Sequence, residues 1–158
     1  MHYSRLLHNT SLGVALGGGV PWLGPAFETL HFVGMALLLG YVGMLDLRIL
    51  GVGKDLPIGP IQRLMPWALV GFTINLITGI GFYAGNPDQY QSLAFVAKLL
   101  FIMLAVGNAL LFYLTGISRR LDSVCAGQDA PVAAKLLAVG SLFSWIGVIF
   151  WGRLLPIS

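Results

Sequence analysis

Four apolar runs, each about as long as a membrane-spanning helix, constrain this chain more than any other feature of its sequence. They cover residues 26–47, 64–83, 93–114 and 132–151, and breaks rich in Gly, Pro, Asp and Asn separate them. A helix needs about 20 mostly apolar residues to cross the hydrocarbon core of a bilayer. Pro66 lies in the first turn of the second run, where proline is compatible with a helix. The sequence therefore predicts an all-α integral membrane protein, a four-helix bundle formed by residues 26–158.

The composition supports a membrane protein over a soluble one. Of the 158 residues, 9% are charged and 57% are hydrophobic, whereas a soluble domain carries about 25% charged residues. So few charges do not cover the surface of a water-soluble globule. The net charge of +3 comes from a handful of side chains, so we interpret Lys and Arg as topology signals. The expected partner is the lipid bilayer and not nucleic acid.

Most of the cations fall on one side of the predicted spans. That side holds Arg48, Lys54, Arg63, Arg119, Arg120 and Lys135, and the other holds Arg5, Lys98 and Arg153. The positive-inside rule assigns the richer side to the cytoplasm. We therefore expect a multi-pass protein of the bacterial inner membrane with both termini in the periplasm. Residues 1–25 lack the cleavage site of a signal peptide, and we expect them to form an interfacial or re-entrant segment.

Polar residues from two spans reach one depth near the predicted outer face. Glu28 and His31 lie one turn apart in the first span, and Lys98 lies at a similar level in the third. Residues three apart share a helix face, so Glu28 and His31 can point into the bundle together. Ionisable groups inside a membrane indicate a functional site by default. This cluster is the sharpest candidate site in the sequence.

The cluster suggests a haem b site or another redox-cofactor site. Neutral imidazole is a common ligand of metals and haem iron, so His31 is the candidate metal ligand. Lys98 and Arg153 are candidate partners of the haem propionates, and Met35 is a candidate thioether ligand. A bis-histidine haem needs a second intramembrane histidine, and His2 and His8 lie in the N-terminal segment.

Each member of the cluster also has a structural interpretation. Glu28 can sit at the headgroup level near a helix N-terminus, where an anion is favoured. Lys98 can extend its ammonium outward along its stem. His31 can form a hydrogen bond between helices. Alternatively, the three groups can serve a small proton-coupled transporter, which would need an oligomer to enclose a pathway.

A second polar set lies at the predicted inner face. Asp46 opposes the dipole at the end of its helix, so a cation partner is expected, and Arg48 and Arg63 are nearby in sequence. We predict an interfacial ion pair that fixes loop geometry. Asn75, Thr78 and Asn108 lie in mid-membrane and are predicted to form hydrogen bonds between helices.

Two small-residue pairs, Ala36 with Gly40 and Gly140 with Ser144, have the spacing that permits close helix approach, within the chain or between copies. No Ser/His/Asp or Cys/His arrangement, zinc ligand set or nucleotide fingerprint is present. We therefore do not expect an enzyme in its own right.

The motifs "ETLHFVGMALLLG", "LDLRILG", "MPWALVGFTINLITGIGFY" and "GNALLF" occur in this order. Together they resemble an uncharacterised family of small four-helix bacterial inner-membrane proteins, known as a domain of unknown function. The matching positions are His31, Asp46, Leu47, Arg48, Gly51, Thr78, Gly79, Lys98 and Asn108. Relatives often have a histidine where this chain has Tyr113, which weakens a two-histidine haem hypothesis. The resemblance implies a fold and a compartment but no established activity.

These observations favour an accessory or structural subunit of a larger membrane complex or a homo-oligomer. A haem-binding electron-transfer protein and a proton-coupled transporter are the alternatives.

Overall fold

The computed structural model describes residues 14–15 and 19–155. From Leu23 onward it contains the helices α1 (Leu23–Leu50), α2 (Ile58–Gln62), α3 (Met65–Gly85), α4 (Leu93–Leu114), α5 (Ile117–Leu121) and α6 (Val132–Leu154), with a 3-10 helix (Pro87–Gln91) between α3 and α4. All regular structure in this part of the chain is helical, which confirms the all-α prediction.

Four helical stretches are long and apolar enough to cross a membrane: α1, α2 together with α3 (Ile58–Gly85), α4 and α6. The bounds of α4 are those predicted, whereas α1 and α6 extend beyond the predicted spans. Helix α1 continues through Arg48 and stops at Gly51, whose φ of 103° is left-handed and whose N–H donates to the Arg48 and Leu47 carbonyls. Glycine adopts this conformation without a steric penalty. Most of the predicted N-terminal segment, residues 1–25, lies outside the described residues.

The two central helices are α1 and α6. Helix α1 packs against α3 on one side and α6 on the other, and α4 packs against α6. Helices α3 and α4 meet mainly through the 3-10 helix that joins them. Four-helix packing is thus confirmed, and it leaves broad apolar faces of α3 and α4 exposed, as expected for helices that contact lipid.

Helices α1 and α3 touch through their backbones at two glycines. A Cβ added at Gly71 would lie 2.5 Å from the Gly34 carbonyl oxygen and 2.9 Å from the Leu38 nitrogen. Only glycine fits at such a distance between two main chains. Helices α4 and α6 also meet at a glycine, because the Phe101 ring of α4 packs over Gly147 of α6. These contacts set which residues of neighbouring helices lie at the same level.

One end of the bundle, here called the Arg48 end, is closed by the loops 51–57 and 122–131. Arg48 is 1% exposed, and its guanidinium donates to carbonyl oxygens of both loops: Leu56 at 2.5 Å, and Cys125 and Gln128 at 3.4 Å. Each loop therefore receives hydrogen bonds from the last turn of α1. The Gly127 N–H also donates to the Lys54 carbonyl at 2.8 Å, which links the two loops directly.

Candidate functional site

The predicted outer cluster is centred on His31, which faces α3. Its Nδ1 lies 2.6 Å from the Thr78 hydroxyl, which also lies 2.7 Å from the Ile74 carbonyl oxygen. The ring packs edge-on against Phe82 with centroids 5.5 Å apart. Thr78 is buried and His31 is half-buried. The hydroxyl therefore bridges the imidazole and the α3 backbone, and His31 forms the hydrogen bond between helices that was one of its two interpretations.

The structure brings Lys98 towards His31 but leaves the other predicted members apart. The Lys98 ammonium lies against Gly152 of α6, within electrostatic range of His31. Glu28 and Arg153 are exposed, and Met35 is half-buried. The site predicted from sequence thus reduces to an imidazole and an ammonium at one level. Glu28 lies at the periphery of the bundle.

The residues at this level do not fit a six-coordinate haem. Axial ligands approach an iron from opposite faces of the porphyrin, whereas His31 and Met35 are four residues apart and share one side of α1. A further thioether, that of Met103 on α4, is 69% exposed and is directed away from the bundle. His2 and His8 lie outside the described residues. Within the described part of the chain, no group of three or more His, Cys, Asp and Glu residues is placed to hold a metal ion.

The ion pair predicted between Asp46 and Arg48 does not form. Arg48 is occupied by loop carbonyls, Arg63 is exposed, and the ion pairs among the described residues join Lys54 and Lys135 to Asp129. The reason is helical geometry, because residues two apart point about 160° away from each other. Arg48 therefore faces the loops, and Asp46 faces the space between α1, α4 and α6.

Asp46 belongs to a polar cluster built from three helices, here called the Asp46 cluster: Tyr41 and Asp46 of α1, Asn108 and Tyr113 of α4, and Ser141 of α6. These five residues, together with apolar neighbours, line a cavity of about 60 Å³. The Tyr41 and Tyr113 hydroxyls are 3.2 Å apart, and either can be the donor. The cluster combines a carboxyl, an amide and three hydroxyls in the half of the bundle nearest the Arg48 end.

One oxygen of the Asp46 carboxyl has no hydrogen-bond partner. The Ser141 hydroxyl lies on the same cavity as the Asp46 carboxyl, and the Asn108 Nδ2 donates to the Leu137 carbonyl at 3.1 Å. The Oδ2 atom of Asp46 is buried and has no hydrogen-bond partner. The whole residue is also buried, with 6% of its surface exposed. A buried polar atom without a partner is uncommon in native structures and points to a bound water, ion or proton.

Asn75 shows the same feature on α3. Neither its amide nitrogen nor its side-chain oxygen has a partner, and both atoms are buried. The hydrogen bond between helices predicted for Asn75 is therefore not formed, whereas Asn108 does bond across to α6 as predicted.

Sequence reasoning found Asp46 and Asn108 but missed Tyr41, Tyr113 and Ser141 as their neighbours. One signal was present: Gly34, Leu38, Tyr41, Leu45 and Arg48 recur at helical spacing, and all are buried. That spacing identifies the inward face of α1 and places Tyr41 on it. Which residues of α4 and α6 meet that face depends on helix packing, which periodicity does not specify.

Charged groups outside the spans cluster at the Arg48 end. Asp129 accepts hydrogen bonds from Lys54 at 3.0 Å and from Lys135 at 3.1 Å. These two ammonium groups hold the pKa of the exposed Asp129 carboxyl below its ordinary value. At the opposite end, burial raises the pKa of Tyr90, whose ring packs against Tyr83 and Phe95. Neither group forms part of a cavity described above.

Compared with protein-family models, curated proteins and solved structures, the chain shows no significant match.

Proposed function

We propose that this small integral membrane protein is an accessory subunit of a larger membrane complex, bound to a partner through the exposed face of α1. The observation that carries the proposal is the pair Ala36 and Gly40, which the structure leaves open. Both residues are exposed, and a Cβ added at Gly40 would meet nothing within 4 Å. Small residues at this spacing allow another transmembrane helix to approach closely.

The open pair contrasts with the other small-residue pair of the sequence. Gly140 and Ser144 are used inside the chain: the Ser144 hydroxyl donates to the Gly140 carbonyl at 2.7 Å, and Gly140 lies beside the Asn108 side chain. Gly34 and Gly71 likewise serve the contact between α1 and α3. The remaining small-residue face on α1 has no such role within the described chain. An external helix is the partner that its chemistry suits.

The same stripe of α1 carries exposed apolar side chains on either side of the small pair. Phe32 is 68% exposed, and Val33, Met44 and Leu47 are exposed as well. Large side chains flanking small ones form a groove into which a partner helix can insert. Since α1 is central in the bundle, a helix held there would be tied to both α3 and α6 through it.

A carrier function within a single chain is not supported by the packing between the two polar levels. His31 and Tyr41 are ten residues apart, or about 15 Å along the helix, and the inward face between them carries Gly34 and Leu38. The backbone contact of Gly34 with Gly71 closes α1 against α3 there. Polar groups therefore do not form a continuous route along α1.

The test is purification of the full-length chain from its own host in mild detergent, followed by native mass spectrometry. We expect one membrane protein at fixed stoichiometry. The variant Gly40→Leu is expected to lose that protein, because its side chain fills the groove. The matched control is Gly107→Leu on α4, where an added Cβ also meets nothing within 4 Å, and it is expected to retain the partner.

Three outcomes would overturn this proposal. The chain could purify alone, it could purify as copies of itself, or Gly40→Leu and Gly107→Leu could behave alike. An absorption spectrum of the same sample tests the haem hypothesis, because a Soret band lost in His31→Ala would replace the accessory role with a redox one.

A further inference from the structure

The Asp46 cluster contains an ionisable group without a counterion. Arg48 is saturated by loop carbonyls, and Lys54 and Lys135 are paired with Asp129. Lys98 lies against Gly152, towards the opposite end of the bundle. The cations that the structure describes near the Arg48 end therefore do not pair with Asp46, because they bond to other groups or are exposed. A carboxylate buried without compensation is very costly in a medium of low dielectric.

The cavity beside the carboxyl is mostly apolar in its lining but holds a few polar groups. Its volume of about 60 Å³ exceeds the ~15 Å³ that a single water needs. Besides the free Asp46 oxygen, it is lined by the Tyr41 and Tyr113 hydroxyls and by Asn108. Because Asn108 uses its Nδ2 on the Leu137 carbonyl, its side-chain oxygen is left as an acceptor. A bound water can therefore find the two to four partners that it needs.

We propose that Asp46 is an exchangeable proton-binding site, with water in the adjoining cavity as the donor and acceptor of its proton. In the exchange, the O–H bond at Asp46 Oδ2 breaks as the proton passes to a cavity water, and the reverse step restores it. When Oδ2 is protonated, its O–H group can donate to the cavity water. That water is then the hydrogen-bond partner of Oδ2. The assignment is independent of the accessory role proposed above.

A proton suits this site better than a metal cation. Hard cations take six or more oxygen ligands, whereas the cluster offers Asp46 and Asn108 as strong acceptors. The tyrosine hydroxyls bond to each other. A proton requires only the one free carboxyl oxygen.

The position of Asp46 places it within reach of one membrane surface. It lies four residues from the end of α1 at Leu50, or about 6 Å along the helix axis. Helix α1 has 28 residues and so spans about 42 Å, more than the ~30 Å hydrocarbon core. Asp46 therefore lies near the edge of the core at the Arg48 end, and water from that side has the shorter path to it.

The titratable groups that face the Asp46 carboxyl are few. Helix α1 contributes Tyr41 and α4 contributes Tyr113, both phenols, while α6 contributes the non-titrating Ser141. In an infrared spectrum, the titration of the Asp46 carboxyl is therefore separable from that of the two phenols, because phenols absorb at other frequencies.

The test is an infrared titration of the full-length protein in lipid nanodiscs. We expect a C=O stretching band of a protonated carboxylic acid that comes and goes reversibly with pH and shifts in D₂O. It should be absent in Asp46→Asn and unchanged in Asp129→Asn, which removes an exposed carboxyl at the same end. Ser141→Ala should retain the band at a shifted frequency, because it removes a hydroxyl from the cavity beside the carboxyl.

Ser141→Ala also keeps the test decisive if Asp46→Asn does not fold. A folded protein without the band at any pH would overturn the proposal, as would a band that Ser141→Ala leaves unmoved. Loss of the band on adding Na⁺ at constant pH would also overturn it, because the site would then be a cation site.

Discussion

Replacing Arg48 by methionine is expected to destabilise the protein more than any change at an exposed cation. Methionine keeps much of the apolar stem but removes the guanidinium, so the Leu56, Cys125 and Gln128 carbonyls lose their donor. Both loops of the Arg48 end are then released from the last turn of α1.

The magnitude follows from the distances of these hydrogen bonds. A bond from a charged donor contributes about 1.5–3 kcal/mol, and the Leu56 bond at 2.5 Å belongs in that range. The bonds to Cys125 and Gln128 at 3.4 Å are near the limit of hydrogen bonding and contribute less. Removing the guanidinium also relieves the cost of burying a charge. Together these effects give a loss of about 3 kcal/mol.

The assay is reversible unfolding in mixed micelles, followed by tryptophan fluorescence. Arg63→Met is the matched control, because Arg63 is exposed and its loss should change the free energy of unfolding by less than about 0.5 kcal/mol. Arg48→Lys should fall between the two, since an ammonium can replace one bond but not the fork of a guanidinium.

A second measurement locates the effect in the loops. Trypsin cleavage at Lys54 should accelerate in Arg48→Met, because loop 51–57 has lost its bond to α1. If Arg48→Met unfolds within about 1 kcal/mol of the native chain and Lys54 is cut at an unchanged rate, Arg48 does not hold the two loops together.

Three further predictions follow from other contacts. Gly71→Ala should cost about 1–3 kcal/mol by forcing two backbones apart, whereas Gly79→Ala, which meets nothing within 4 Å, should be neutral or stabilising in the same unfolding assay. The pairs of Asp129 stabilise the fold above the ordinary carboxyl pKa of 3.8 and are lost as the pH falls through the lower folded-state pKa; an acid titration of unfolding should therefore show a small loss below pH 3.8 that Asp129→Asn removes. Thr78→Val should cost about 1 kcal/mol and should shift the imidazole NMR signals of His31, because it removes the hydroxyl bonded to Nδ1.

The spans were predictable from sequence because a bilayer imposes a length and a composition on them. Residues 93–114 form α4 with the bounds that hydropathy gave. At Arg48 the apolar run ends but the helix does not, since the charged side chain finds partners in two loops. Hydropathy measures transfer into lipid, and Arg48 is buried in protein, so this extension required the loop contacts to be known.

The candidate site was less predictable, because it depends on rotation about each helix axis. Asp46 and Arg48 are close in sequence and point to different sides of α1, which an argument from depth alone does not detect. Depth predicted His31 and Lys98 at one level, and the contacts that the structure gives them lie on different helices, Thr78 of α3 for His31 and Gly152 of α6 for Lys98. The partner of His31 is Thr78, which the sequence predicts to bond between helices without specifying its partner.

The two proposals concern different faces of one helix, and this makes each a control for the other. Gly40 and Asp46 are six residues apart, or about 120° around α1, so a partner at the Gly40 face does not touch the Asp46 carboxyl. Gly40→Leu should therefore release the partner and leave the infrared band of Asp46 in place, and Asp46→Asn should do the reverse. If either change altered both readouts, α1 itself would move when one site is occupied. The backbone contact of Gly34 with Gly71 argues against such movement, because it fixes α1 against α3 less than two helical turns from Gly40.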